Sequence, residues 1–301
     1  SGYWKMGSGD NQAVSASLRY FSLGEIQMTD GAGTVVNSVN PYEMAFDLGY
    51  SRKLSESFSM GVALRYIYSD LAFSDAYSAE QQKGASAFAD DISGFLTTYP
   101  VVGRNECQWS WGFNISNIGS KVSYNDGNDP AFLPTNFRLG TTFTFPVAQY
   151  NNIALSLDAN KLLVPTRPRQ SDYTDAEGNY DQEAYESKLE DWRNTSSISG
   201  IFKSFSDAPG GFKEELKEIT LSVGAEYNYN QQFFVRTGYF YENAMKGNRQ
   251  YFSFGAGFSL NVVQLDAAYM IATAQNSPLD QTLRFSLTFD MDGLKHLLGK
   301  K

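Results

Sequence analysis

Residues 107–116 read CQWSWGFNIS, and alternate positions of this stretch differ sharply in polarity. Cys107, Trp109, Trp111, Phe113 and Ile115 fill the odd positions, whereas the even positions hold glutamine, serine, glycine, asparagine and serine. Successive side chains of a β-strand point to opposite faces, so this strand has one apolar and one polar face. That pattern is typical of a strand in an outer-membrane β-barrel. By the same alternation, Cys107 is expected on the lipid side, as a small hydrophobe.

The alternation recurs along the chain, most clearly in residues 58–69, 219–229, 251–260 and 282–289. It predicts an all-β fold, a transmembrane antiparallel barrel, with about 13 strands in this chain. The predicted strands are 1–6, 12–23, 42–51, 57–69, 86–98, 107–117, 136–146, 152–164, 217–229, 232–242, 249–260, 262–272 and 281–290. The strand at 86–98 is the weakest, because Asp90 interrupts its apolar face.

Composition narrows the classes of protein that remain. The chain has 42% hydrophobic and 15% aromatic residues, but it lacks the run of about 18 apolar residues that a membrane-spanning helix needs. Its net charge of -9 argues against nucleic acid as a partner. A soluble β-sandwich would also alternate, but it keeps its aromatic residues inside and carries more charge outside. The lipid bilayer is therefore the expected surroundings of the barrel.

Connection lengths predict the orientation of the barrel. Short turns alternate with long loops, and outer-membrane barrels keep short turns in the periplasm and long loops at the cell surface. Residues 1–290 are then the barrel, residues 165–217 a long extracellular loop, and residues 291–301 a periplasmic C-terminal tail. Such barrels have an even number of strands, so we expect about 14 in the full protein, with one strand and a plug preceding Ser1.

Charged residues of both signs fall on the polar, lumen-facing positions. One interpretation is an ion-conducting path with a selectivity field; the other is a network of ion pairs that fills and rigidifies the interior. The near balance of the two signs favours the network. Its predicted members are Arg19, Glu43, Asp47, Arg65, Asp91, Arg138, Asp158, Glu226, Arg236, Asp266 and Arg284.

The loop at 165–217 is longer than a connection requires, and such loops are usually functional or disordered. Apolar residues at helical spacing predict two short amphipathic helices within it. Either their apolar faces dock on the barrel rim as a lid, or some of these side chains bind a partner. The candidate partner-binding residues are Tyr185, Leu189, Trp192, Ile198, Ile201, Phe202, Phe205 and Phe212.

Neither a catalytic site, nor a cofactor, nor a metal site is predicted. The single histidine, His296, lies in the tail and has no carboxylate at a useful spacing. The acidic run at 172–181 does not fit a calcium-binding loop, because Tyr173 and Ala184 would stand where carboxylates are required. Asp126 and Asp129 are expected to be turn residues.

Several stretches resemble the PorV family of the type IX secretion system of Bacteroidetes, which is related to the FadL-type transporters. They are GNRQYFSFGAGF (247–258), NSPLDQTLRFSLTF (276–289), NIG (117–119), LPTNFRLG (133–140) and ASLRYFSLG (16–24). The resemblance implies a 14-stranded barrel with an N-terminal hatch. It also implies partners: a large translocon barrel, secreted cargo with a C-terminal signal domain, and the surface sortase or attachment complex.

Two functions therefore remain open from the sequence. In the first, the barrel is a non-enzymatic shuttle that receives cargo at the translocon and delivers it to the attachment complex. In the second, it is a FadL-like importer of hydrophobic small molecules. An importer needs apolar residues on the lumen side, and only Ile67, Phe234 and Phe240 are clear candidates.

Overall fold

The computed structural model describes residues 1–7, 11–71, 83–124, 130–175, 178–274, 277, 279–291 and 293–294. The elements in chain order are β1 (Gly2–Met6), β2 (Gln12–Ser22), β3 (Ile26–Thr29), β4 (Val35–Val39), β5 (Tyr42–Lys53), β6 (Phe58–Asp70), β7 (Ala85–Thr98), β8 (Val101–Val102), β9 (Asn105–Glu106), β10 (Gln108–Gly119), β11 (Asn136–Ala148), β12 (Asn151–Leu162), α1 (Gln182–Asn194), α2 (Ser197–Lys203), α3 (Phe212–Lys217), β13 (Thr220–Tyr229), β14 (Phe233–Tyr241), β15 (Tyr251–Leu260), β16 (Val263–Ala272) and β17 (Leu283–Phe289). Two 3₁₀ turns, Gln170–Tyr173 and Ala244–Lys246, complete the set.

Thirteen of the strands form one antiparallel sheet, which confirms the predicted all-β architecture. The order is β1-β2-β5-β6-β7-β10-β11-β12-β13-β14-β15-β16-β17, so every strand pairs with the next long strand in sequence. These are the 13 strands that alternation predicts, with each end within three residues of its expected place. An antiparallel meander of this kind fits an outer-membrane β-barrel.

The large sheet exposes its apolar side chains. In β15, Phe252, Phe254 and Phe258 are exposed, while the alternate residues are buried or half-buried. In β6, Leu64 is exposed in the same way. We call this side the apolar face and the opposite side the polar face. A soluble sheet hides its apolar face, so exposed rows of Leu and Phe suit contact with acyl chains.

The buried apolar core is correspondingly small. Its cluster consists of Ala87, Ala89 and Leu133, with Ile67 and Val122 packed against it. Among the described residues, the largest side chains that are fully buried belong to Cys107 and Ser204. A soluble β-sandwich of this length would bury many large apolar side chains between two sheets, so this architecture differs from the sandwich alternative.

The chain divides into two compact units. The first contains Ser1–Gly94, Asn114–Phe137 and Leu162–Phe212, and it includes β1–β6 together with α1 and α2. The second contains Phe95–Phe113, Arg138–Lys161 and Lys213–Lys301, and it includes β13–β17 and most of α3. No helix in the described ranges is both long and apolar enough to cross a bilayer.

Two small hairpins, which alternation does not predict, lie outside the large sheet. Strands β3 and β4 pair with each other between β2 and β5. The Asp30 carboxylate closes their turn by accepting hydrogen bonds from the backbone N–H groups of Ala32 and Thr34, both at 2.9 Å. Gly33 lies in the left-handed region, with φ +81°, where glycine meets no steric penalty. The second hairpin joins β8 to β9.

The expected position of Cys107 is wrong. The residue lies before β10 begins, and its backbone N–H donates to the Pro100 carbonyl at 2.9 Å, so it belongs to the small hairpin and is buried. Trp109 and Trp111 follow the alternation as expected. Both are exposed on the apolar face, with ring centroids 5.5 Å apart, and the Trp109 indole donates to Thr141 Oγ1 at 2.9 Å.

Several sequence-based expectations fall outside the described residues. These are the turn role of Asp126 and Asp129, the environment of His296, and most of the tail at 291–301.

Candidate partner-binding site

Helices α1 and α2 follow β12, and each begins at a side-chain cap. The Asp181 carboxylate accepts from the Ala184 backbone N–H, and the Ser196 hydroxyl accepts from the Ser199 N–H. Such caps satisfy the free N–H groups of the first helical turn. Between the helices, buried Thr195 donates from its hydroxyl to the Asp191 carbonyl at 2.8 Å. The start of each helix and the connection between them are therefore fixed by side-chain hydrogen bonds.

Trp192 attaches α1 to the rest of the first unit. Its indole N–H donates to the Pro165 carbonyl at 2.9 Å, and its ring meets the Phe132 ring edge-on, with centroids 5.1 Å apart. Lys121 lies 4.2 Å from the centre of the Phe132 ring and donates to the Arg193 carbonyl at 2.6 Å. Burial lowers the pKa of Lys121 below its ordinary value. Trp192 thus has a docking role.

One side of α2 rests on the same support. A Cβ added to Gly200 would lie 3.0 Å from Phe132 Cε1 and 3.0 Å from Pro165 Cδ, so a larger residue would require these neighbours to shift, and glycine allows the close approach. Ser204 lies on the same side of the helix and is buried. Residues three or four apart share a helix face, so Ile198 and Phe202 lie together. Each is two residues from Gly200, so their shared face is opposite the one that contacts Phe132 and Pro165.

The predicted candidates therefore fall into two groups. Tyr185, Leu189, Trp192 and Ile201 are half-buried. The Tyr185 ring packs against the rings of Tyr173 and Tyr180, each 5.9 Å away. Ile198, Phe202, Phe205 and Phe212 are exposed, Phe202 at 72% and Phe212 at 76%. We call Ile198, Phe202 and Phe205 the α2 patch.

A cavity of about 450 Å³ lies beside Trp192. Its lining includes Tyr173, Arg167, Lys203 and Asp207. The Asp207 carboxylate accepts from the Thr166 backbone N–H at 2.8 Å, which fixes one wall of the cavity. Because the lining carries charges of both signs, it favours neither anionic nor cationic ligands.

On the polar face of the first unit, Arg65 forms the centre of an ion-pair network. It lies directly opposite Asp47 across the β5–β6 ladder and bonds that carboxylate; it also holds Asp91 with two hydrogen bonds, at 2.9 and 3.2 Å. Asn117 accepts from the same guanidinium. Only 11% of the Arg65 side chain is exposed, against 64% for Arg19, which reaches Asp47 from the other side at 3.2 Å.

Asn117 links this network to the loop that carries Phe132. Its backbone adopts a left-handed conformation, with φ +59°, so that its N–H meets Asp91 at 2.8 Å. Its side-chain amide donates to the Pro134 carbonyl at 3.1 Å, and its own carbonyl accepts from the Thr135 hydroxyl at 2.7 Å. The stretches NIG and LPTN are thus joined by hydrogen bonds at one place.

The second unit contains a similar network around Arg236. This residue bonds Glu226, its cross-strand partner, at 2.6 Å and Asp266 at 2.5 Å. Arg138 bonds the Asn160 carboxamide at 2.6 Å and has no carboxylate partner among the described residues. The remaining predicted members are more separate. Glu43 accepts from Ser69, Asp158 lies against Gly140, and Arg284 forms no ion pair within the described ranges.

Comparison with known protein families shows the family to which the chain belongs. The family described as Type IX secretion system protein PorV matches residues 3–169, more than half of the sequence. The chain belongs to the PorV family. Curated proteins gave no match.

Membership in the PorV family makes the chain an outer-membrane component of the type IX secretion system, which implies interaction with other parts of that machinery. PorV is a transport component and not a known enzyme family. The matched range includes Arg65, Asp91 and Asn117, but it ends before α1 and α2. The α2 patch therefore lies in a part of the chain that the PorV match does not describe.

Sequence analysis missed α3 and the charged cluster that holds it in the second unit. Lys161, at the end of β12, bonds Glu215 and Glu218 on or next to α3, both at 2.7 Å. Lys246 bonds Glu214 at 2.6 Å and Glu218 at 2.9 Å. Burial lowers the pKa of Lys246, but hydrogen bonds and the charges of the glutamates raise it more, so the net shift is upward. The signal in the sequence was Lys161 itself, a cation at an apolar-face position.

Proposed function

We propose that this PorV-family protein is a non-enzymatic shuttle. Its loop 165–217 binds secreted cargo that carries a C-terminal signal domain at the large translocon barrel, and it delivers this cargo to the surface sortase or attachment complex. In this proposal the long loops face the cell surface, the C-terminus is periplasmic, and the polar face lines a lumen filled by paired charges.

The observation that carries the proposal is the α2 patch. The helix is held on one side by Gly200 against Phe132 and Pro165, and it presents Ile198 and Phe202 to solvent on the other. Burying a Phe or Ile side chain contributes about 1.5–3 kcal/mol. Exposed apolar side chains on a fixed support are the usual anchors of a protein interface.

The importer alternative has less support from the polar face. Ile67, one of its three candidate residues, packs against the small core of Ala87, Ala89 and Leu133. Phe234 lies 4.9 Å from the Arg236 guanidinium, and Phe240 stacks on Tyr251. Each of these three apolar side chains already has a protein partner, so their positions do not indicate an apolar path for a hydrophobic substrate.

The test is capture of cargo by purified variants. Ile198→Ser and Phe202→Ser should each weaken binding by about tenfold or more, because each loses at least ~1.4 kcal/mol of apolar burial. Met245→Ser is the matched control, since it removes an equally exposed apolar side chain from a different loop. Deleting residues 165–217 should abolish binding while the barrel stays folded. Unchanged capture by the α2 variants or by the deletion would refute loop-based binding.

A further inference from the structure

Asp90 occupies the apolar face of the sheet. Its neighbour Asp91 points to the polar face, where Arg65 holds it, and adjacent residues of a strand face opposite ways. Phe88, two residues before Asp90, is 69% exposed, and its ring packs against Tyr66 with centroids 5.3 Å apart. Asp90 is therefore an exposed carboxylate among large apolar side chains.

The position of Asp90 along the strand distinguishes it from the other charges of this face. Within the described strands, the other charged residues at apolar-face positions lie at or next to strand ends. They are Arg52, Asp70 and Lys161. Asp90 is the sixth of the 14 residues of β7. At roughly 3.3 Å per residue and a tilt of about 40°, it lies on the order of 12 Å below the strand end, within an apolar band about 25 Å tall.

Asp90 also has no neutralising partner in the part of the chain that the structure describes: neither a hydrogen bond nor an ion pair reaches its carboxylate. Ionisable side chains inside a membrane are expensive; they are paired with another group or face protein or water instead of lipid. A partner that supplies a cation at this depth would remove the cost.

We propose that the strip formed by Leu64, Phe88 and Asp90 contacts a different outer-membrane protein, which presents a Lys or Arg side chain to Asp90. A second copy of this chain does not fit, because the cations on its described apolar face, Arg52 and Lys161, lie near strand ends. Lipid headgroup amines lie at the bilayer surface and not at this depth. The inference rests on the membrane location of the chain and is independent of the α2 patch.

The experiment is photo-crosslinking in intact outer membranes, with p-benzoylphenylalanine in place of Phe88. Leu18, an exposed apolar-face residue three strands away, is the control position. We expect a protein adduct from position 88, with the crosslinked peptide in a membrane strand that carries Lys or Arg, and lipid adducts from position 18. The proposal would be overturned if position 88 gave only lipid adducts, or if positions 88 and 18 gave equal yields of protein adduct. A crosslinked strand without a basic residue would also overturn it.

Substitutions at Asp90 then test the charge. Asp90→Leu should fold normally, because it adds an apolar residue to an apolar face, yet it should lower the position-88 adduct by roughly tenfold. Asp90→Lys should do the same, and changing the partner's cation to Glu should restore the adduct. An undiminished adduct in a folded Asp90→Leu protein would overturn the inference. Phe202→Ser should leave this adduct intact, so failure of loop-based cargo binding and failure of the Asp90 contact give different results.

Discussion

Removing Arg65 should destabilise the barrel strongly, whereas removing Arg19 should not, although both side chains bond Asp47. In Arg65→Met, the Asp47 and Asp91 carboxylates, only 13% and 16% exposed, lose their common cation. Breaking a buried ion pair from one side costs about 3–5 kcal/mol, and we expect the lower end, about 3 kcal/mol, because the carboxylates retain some contact with water. Arg19→Met breaks an exposed pair and should cost less than about 1 kcal/mol.

The assay for this prediction is reversible urea unfolding of the protein in lipid vesicles, followed by tryptophan fluorescence. A triple variant, Arg65→Met with Asp47→Asn and Asp91→Asn, should recover much of the loss, since it removes the unpaired charges together with the cation. If Arg65→Met and Arg19→Met lose the same stability, or if the triple variant is no better than Arg65→Met, the network does not act through buried charge.

Two further predictions concern the loops. The side-chain hydrogen bonds from Arg249 hold the pKa of Glu242 below its ordinary value of 4.5. The stabilisation from this pair is therefore complete above pH 4.5 and is lost as the pH falls through the lowered pKa. Hydrogen-exchange protection of residues 242–250, corrected for intrinsic rates, should drop in that acidic range in the wild type and show no such drop in Glu242→Gln. Trp192→Ala should release α1 and α2, because it removes both the hydrogen bond to Pro165 and the ring contact with Phe132. Limited proteolysis should then cut within residues 182–205, while heat-modifiable gel mobility still reports a folded barrel. Proteolytic resistance equal to that of the wild type would contradict the docking role of Trp192.

The strands were predictable because a period of two is a local property of the sequence. A strand such as Tyr251–Leu260 shows its two faces without knowledge of any neighbour. Cys107 shows where this reasoning fails. The period continues through the residue, but β10 begins one position later than alternation indicates, so Cys107 belongs to the preceding hairpin and its side chain is buried there. Hairpin β3–β4 was missed because its strands have only four and five residues, and because β4 carries no alternating pattern.

The candidate site was predictable only in part. Helical spacing identifies Trp192 and Phe202 as apolar-face residues, but it does not say that Phe132, 60 positions earlier in the chain, covers one and leaves the other exposed. The ion pairs show the same limit. Alternation places Arg65, Asp47 and Asp91 on one face, but neighbouring registers decide that these three meet while Arg138 meets an amide instead.

A continuous set of contacts joins the Arg65 network to the α2 patch. Arg65 and Asp91 hold Asn117; Asn117 holds Pro134 and Thr135; and the loop between Asn117 and Thr135 carries Phe132, on which α2 rests. The patch is thus connected to the sheet through two of the stretches that carry the family resemblance, residues 117–119 and 133–140. A binding surface that is already ordered loses less conformational entropy when a partner binds, so more of the apolar burial at Phe202 is available as affinity. We infer that removing the hydrogen bonds of Asn117 would weaken cargo binding, although no residue of the α2 patch is changed.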